Sequence, residues 1–484
     1  MISTMISTMI PTMQRIRRAI PTLWRCLPAL AVLLLAGPRT ICADAAFVAA
    51  AASLSVLSQE EEQKGGEEGK DGSESDTPKE KDADGEDAKK KEEKTIAIVG
   101  GTVYPVSGPV LHRGTVIIRG DKIHSVGVEL TVPEGAEVVD ATGKHVAPGF
   151  VSIDASRIAV SGRGSDMAAS LDPYDFDLRL ALAHGITTAN VSSGASFVRF
   201  SSRSSRASSP SIVIKLTYGD LAGMVLREKG LNALSIPSRQ IELNLFNMRD
   251  GFRQATEHLA AVEEAKKKNG KPPRPAAQIV AYVTILQNEQ PTVVDATTAE
   301  EIRDILALRD AYPFDLVISG PVEGASMAKE LAARRVPVIL QVRGPDFSFD
   351  FSTPVIDEEG LIPIRLPSAF AGAGCEVAIR TRTSGVSLMG LAGRDLTALP
   401  LEAAFAVRGG LSEADALAAI TLRPAKILRL GDRVGSLEAG KDADVLILNR
   451  DPLDYRTFVL KAFVNGKVYY EREKSRLFRD VPLR

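Results

Sequence analysis

The sequence predicts an α/β protein, and three observations carry that reading. The middle of the chain alternates short apolar runs with longer helical ones, the pattern of a parallel barrel or a doubly wound sheet. A segment alternating apolar and polar residues precedes this region, and a second such segment follows it. Each flanking segment is too small to hold a core alone, so one sheet contributed by both ends is expected to bracket the middle. With 484 residues, 44% hydrophobic and 25% charged, the chain can bury a large core in more than one folding unit.

The front of the chain is different in kind. Arg15, Arg17 and Arg18 precede an apolar run from Leu27 to Gly37, then small residues through Ala43, Asp44 and Ala45. This is the layout of a signal peptide over residues 1–45, with cleavage expected after Ala43 or Ala45 and an exported product: periplasmic, cell-surface or extracellular. The apolar run is short of a membrane span, and Arg39-Thr40-Ile41 before Cys42 lacks the small residues of a lipid-attachment site. Of three cysteines, Cys26 and Cys42 fall in this leader, leaving Cys375 without an internal disulfide partner. From Gln59 to Lys94 the chain is Glu, Asp, Lys, Gly and Ser with almost no apolar residue. Residues 46–94 are therefore expected to be a disordered acidic linker. The net charge of -2 conceals a basic start, an acidic linker and a balanced remainder, and nothing suggests nucleic-acid binding.

Order is expected from Thr95. Thr95 to Val103 and Gly114 to Val126 read as strands of a small antiparallel unit, residues 95–146. Val116 and Ile118 share a face, and Gly120-Asp121 is a tight turn before Ile123 and Val126. A third strand runs from Ala136 to Asp140. The matching half of the sheet lies in residues 431–484. There an apolar strand spans Val445 to Leu448, and the Asn465-Gly466 turn joins Phe458–Val464 to Lys467–Tyr470 as a hairpin.

Between them, residues 147–430 open with the turn Pro148-Gly149 and the apolar run Phe150 to Ile153. Further strands are predicted at Thr187–Val191, Ile212–Leu216, Thr292–Asp295, Leu316–Ser319, Val336–Leu340 and Glu376–Ile379, with Gln278–Leu286 as the best candidate for another. Helix starts are visible at Thr298, with Glu301 three residues on, and at Ser412, with Asp415 three residues on.

Gly114 to Gly127, Gly143 to Phe150, and Gly410 to Leu448 together resemble the metal-dependent amidohydrolase superfamily, in the branch that includes imidazolonepropionase-like proteins. His184-Gly185-Ile186-Thr187-Thr188 is similar to that family's entry into its second strand. The resemblance implies a distorted (β/α)8 TIM barrel plus a composite β-sandwich formed by the N- and C-terminal segments, with the site at the strands' C-terminal rim. It also implies a metal that ionises a water for attack on a carbonyl. Matched residue by residue, the family's first-strand histidine pair falls on Asp154 and Ser156, its strand-five histidine on Asp295, and its strand-eight aspartate on Arg382. Ser319-Gly320-Pro321 stands at the strand-six histidine position, and Lys215 could correspond to a carboxylated bridging lysine. His112, His124, His145, His184 and His258 have no ligand spacing with one another.

Two functional readings follow. In the first the chain is an exported hydrolase of carbon–nitrogen, non-peptide bonds with the zinc ligands replaced, in which Asp154, Asp295, Glu323 and Lys215 could hold a hard divalent cation through oxygen. In the second it is a metal-free pseudoenzyme, a scaffold or a binder of a small anionic or carboxylate ligand, with Arg380 and Arg382 as the guanidinium site. Arg203 and Arg206, in the long loop Ser192–Ser211, read as solvated, with a cationic lid as the functional alternative.

Overall fold

The computed structural model describes residues 94–160, 167–192, 211–234, 241–343, 363–386 and 395–483. The leader expected over residues 1–45, the linker expected over residues 46–94 apart from Lys94, and Arg203 and Arg206 lie outside the described residues.

The two ends of the chain build one sheet. Its strands are β1 (Thr95–Val103), β2 (Leu111–Arg119), β3 (Lys122–Val128), β4 (Glu137–Asp140) and β5 (His145–Pro148) from the N-terminal side. The first hairpin turns at Gly120-Asp121, where Gly120 adopts φ +60°, a left-handed conformation suited to glycine. The unit is less uniformly antiparallel than its sequence suggests, because β4 and β5 both run parallel to β1. Val116, Ile118 and Ile123 fill the core beneath, as the alternation predicts.

The central region supplies β6 (Phe150–Ser156), β7 (Ile186–Ser192), β8 (Ser211–Lys215), β9 (Val225–Arg227), β10 (Asn232–Leu234), β11 (Thr292–Asp295), β12 (Leu316–Ser319), β13 (Val338–Gln341) and β14 (Val377–Arg380). They form a four-stranded sheet, β6-β7-β8-β9, and a five-stranded sheet, β10-β11-β12-β13-β14. β14 lies against β6, and the Ser156 amide donates to the Ser384 carbonyl at 2.9 Å. With β9 and β10 as one interrupted position, this is the distorted eight-position barrel. The distortion is at its third position: β8 runs antiparallel to both β7 and β9.

Val151, Ile153, Val213, Ala233, Val293, Val317, Ile339 and Ala378 meet inside the barrel. The segment from Ala425 to Val434 joins that cluster and plugs the end where β6 begins, since the Val151 amide donates to the Ile420 carbonyl. Alternate residues, including Val294, Ile318 and Leu340, face outward against helix Ala299–Ala311 and its neighbours. That helix begins with the predicted capping box, in which Thr298 and Glu301 exchange side-chain and backbone hydrogen bonds.

One predicted strand is a helix. Val280–Leu286 is rich in β-branched residues, yet Ile279 and Val283, four apart, bury against Ala255 of helix Ile241–Lys267. Tertiary packing at helical spacing overrides β propensity here. The missing barrel position is instead taken by β9 and β10, three residues each.

The chain closes with β15 (Val445–Leu448), β16 (Val459–Val464) and β17 (Lys467–Glu471). β15 pairs antiparallel with β5, so the sheet reads β17-β16-β15-β5-β1-β2-β3 with β4 beside β1. The predicted Asn465-Gly466 turn joins β16 to β17, both residues at positive φ. No helix among the described residues is long and apolar enough to cross a membrane. Cys375 is buried, donates to the Ala328 carbonyl, and burial pushes its thiol up to about 11.

Candidate functional site

Strand alternation decides which residues look into the barrel mouth. Val293, Val317, Ile339 and Ala378 point inward, and two residues further along the same strands stand Asp295, Ser319, Gln341 and Arg380. These four therefore form the next inward layer, at the C-terminal rim. Register agrees: Asp295 pairs with Ser319, and Gln341 pairs with Arg380. On β7, Ala189 and Val191 pack outward, which turns Asn190 and Ser192 inward. A shift in the β6–β7 register between Ser152 and Ala155 brings Asp154 and Ser156, both buried, to the same end of the barrel.

The hydrogen bonding of this layer is incomplete within the protein. Asn190 donates to the Ile153 carbonyl at 3.1 Å, but its side-chain oxygen, fully buried, has no partner. The Ser319 hydroxyl is in the same condition. Arg380, 6% exposed, donates from one terminal nitrogen to the neighbouring Thr381 carbonyl, while its Nε has no partner. Three buried polar groups of unmet capacity on inward-facing positions mark a place suited to a polar ligand or ordered water.

Of the residues singled out by sequence, Asp154, Ser156, Asp295 and Arg380 come to this rim. Ser156 accepts a hydrogen bond from Ser384 at 2.8 Å. Asp295 is exposed, and Arg382 is half-buried just past the end of β14. Glu323 is exposed on the turn after β12, where its amide donates to the Thr297 carbonyl.

Lys215 is not brought to the rim. Because β8 is antiparallel to β7, Lys215 pairs with Thr188 near the start of β7, while Ser211 pairs with Ser192 at its end. Lys215 thus lies toward the opposite mouth, fully buried. Its ammonium contacts Asp442 at 2.7 Å and Asp444 at 3.1 Å and donates to Asn465. A lysine so engaged is a structural ion-pair partner, and the expectation of a bridging lysine at the site does not match this placement.

The sequence reading missed Gln341, Asn190 and the Arg343–Glu402 pair. Glu402, fully buried on helix Leu399–Arg408, receives hydrogen bonds from the Arg343 backbone at 3.2 Å and Nε at 2.8 Å. A terminal nitrogen of Arg343 lies 2.7 Å from the same carboxylate. This pair fixes the chain leaving β13 two residues after Gln341. A polar residue ending an apolar strand was the available signal.

The donors at the rim are carboxylates, hydroxyls, amides and guanidinium groups. Among the described residues, no three His, Cys, Asp or Glu side chains converge as a metal site would require. Two of the described histidines are engaged elsewhere: His145 shares a 2.9 Å hydrogen bond with Tyr104, and His184 ends a helix with Nδ1 2.8 Å from the Leu180 carbonyl.

Residues 366–470 match the model of the Amidohydrolase family. An imidazolonepropionase of Geobacillus sp. is 24% identical over 372 residues, covering 70% of this chain and 84% of that protein. An N-substituted formamide deformylase of Arthrobacter pascens is 42% identical over only 67 residues, 13% of this chain. The chain spans 12% of the length of that deformylase and 7% of an amidohydrolase of Hapsidospora irregularis, so both are local likenesses. Among solved structures, an amidohydrolase from Thermotoga maritima shares the fold, with TM-score 0.64 and 23% identity over 78% of this chain and all of that one.

Proposed function

Because the chain belongs to the amidohydrolase superfamily, in its imidazolonepropionase-like branch, we propose that it is a hydrolase acting on carbon–nitrogen bonds other than peptide bonds. The observation that carries this reading is the inward layer at the barrel mouth, a carboxylate at Asp295 with hydrogen-bond donors at Ser319, Gln341 and Arg380. Asp295 would accept a proton from water as the water oxygen bonds to the carbonyl carbon, Arg380 would stabilise the negative charge on the substrate oxygen, and the proton would pass from Asp295 to the nitrogen as the carbon–nitrogen bond breaks. That no three His, Cys, Asp or Glu side chains converge among the described residues supports a reading without the family's zinc centre, and no step here passes through a metal.

A second reading rests on the buried guanidinium of Arg380, whose Nε finds no protein partner. In it the barrel mouth binds a small carboxylate and performs no chemistry, the guanidinium being suited to a two-point carboxylate contact. One experiment separates the two: metal analysis of the purified chain together with turnover of acylamino acids and cyclic amides. For the hydrolase we expect turnover that falls roughly a hundredfold or more in Asp295→Asn, the loss typical of a general base. Arg380→Gln, checked for intact folding by thermal unfolding, should lose about 1.5–3 kcal/mol of interaction with the anionic group. Saturable carboxylate binding without turnover of any substrate would leave the binding reading standing and remove the hydrolase.

We infer export as well, which the leader over residues 1–45 supports. The mature N-terminus is expected after Ala43 or Ala45 in protein recovered from outside the cytoplasm, and an intact N-terminus on such protein would contradict cleavage.

A further inference from the structure

A second polar pocket lies away from the rim, between helix Phe176–Ala183 and strand β17. Its volume is about 430 Å³, within the range of small-molecule sites. It lies toward the opposite mouth of the barrel, since Tyr218 on its wall follows Lys215 by three residues. The proposed catalytic layer contributes nothing to it.

The charges around this pocket do not cancel. Glu471 is already taken by two lysines, with Lys461 at 3.0 Å and Lys474 at 2.5 Å, and these contacts hold its carboxyl below the usual range. Arg179 has no carboxylate partner among the described residues. Its guanidinium instead stacks over the Tyr218 ring, 5.0 Å from the centroid. Stacking fixes the plane of the guanidinium and leaves its edge donors for a second group. Beneath lies the Tyr470 hydroxyl, buried beside Ser475 and without a hydrogen bond of good geometry. The pocket thus combines surplus positive charge, an oriented cation, an aromatic wall and a buried hydroxyl of unmet capacity.

We propose that this pocket is a second ligand site, binding a small organic anion in which a carboxylate is attached to a flat ring. The carboxylate sits on the edge of Arg179 within reach of Lys474, and the ring lies along Tyr218. The surplus charge favours an anion, and the tyrosine wall favours a flat apolar body. Nothing in this inference depends on the chemistry at the barrel mouth.

Calorimetric titration of the full chain with benzoate tests it. Saturable binding at one site is expected, weakened at least tenfold by Arg179→Gln and unchanged by Arg380→Gln. No saturable binding overturns the proposal. So does full affinity in a folded Arg179→Gln variant, or loss of binding in Arg380→Gln, which would move the ligand to the rim. If Arg179→Gln does not fold, Lys474→Gln decides, because the Lys474 side chain is 81% exposed and its replacement leaves the core untouched. A loss of threefold or more there sustains the site, and unchanged affinity removes it.

Discussion

Replacement of Lys215 by methionine is expected to destabilise the protein by about 3–5 kcal/mol, the range for breaking a buried ion pair by removing one partner. Lys215 is fully buried and holds Asp442 and Asp444, which are 2% and 4% exposed. Methionine fills similar space but leaves two carboxylates facing each other in the interior. Burial pushes Asp442 up, yet Lys215, Lys122 and Arg433 together hold its carboxyl below the usual range in the native protein. A carboxylate depressed in this way contributes stability that is present above its unfolded value, near pH 4, and is lost as pH falls through the folded value. Asp444 behaves in the opposite way: complete burial already raises its carboxyl, and the Lys215→Met variant removes the cation that offsets that burial, while Asp442 keeps Lys122 and Arg433. A buried carboxylate raised in this way costs stability above its unfolded value, so the variant should be less unstable at pH 5 than at pH 7. Urea unfolding at both values measures this, and a variant that keeps its stability at pH 7 would show that the ion pairs contribute nothing net.

The second large effect is expected from Glu402→Ala. Glu402 is fully buried and meets Arg343 through two hydrogen bonds and a 2.7 Å ion-pair contact. Truncation leaves both a cavity beside helix Leu399–Arg408 and a guanidinium, 19% exposed, without this carboxylate. A loss of about 3–5 kcal/mol follows from the broken buried pair. Glu402→Gln keeps the volume and an acceptor oxygen and should cost less, about 1–3 kcal/mol. Because Arg343 lies two residues after Gln341, any ligand bound at the barrel mouth should also bind more weakly in both variants. Equal stability of the alanine and glutamine variants would argue that the charged contact, not packing, makes Glu402 important.

Much of the fold could be read from residue order because local rules and tertiary packing agree over most of the chain. The turns at Gly120-Asp121 and Asn465-Gly466 state their geometry through residues tolerant of positive φ. Thr292–Asp295 and Leu316–Ser319 are apolar runs whose limits match the strands, since a buried parallel strand is apolar on both faces. The reading failed where periodicity is short or ambiguous. Ile279 and Val283 make a helical face that β-branched neighbours disguise, and the three residues of Asn232–Leu234 are too few to declare a strand.

The rim placement of Asp295 and Arg380 was legible because both end apolar strands, where position along the strand places a side chain at the rim. It was misread at Lys215 for a reason that pattern cannot supply. An apolar run has the same appearance in either direction, and β8 runs opposite to β7. Asn190 escaped notice because Thr187, Thr188 and Ser192 make it one polar residue among several in its strand, and only its inward direction, fixed by outward Ala189 and Val191, gives it meaning.

The pairing of β5 with β15 joins His145 to Leu448. That contact links parts of the chain made far apart in time. During synthesis the first strands emerge with one edge open, and they wait for nearly the entire barrel before their partners exist. Closing so long a loop is entropically costly and slow, and the exposed edge meanwhile invites pairing with other chains. A polypeptide whose first and last folded segments complete each other closes only when its final strands arrive.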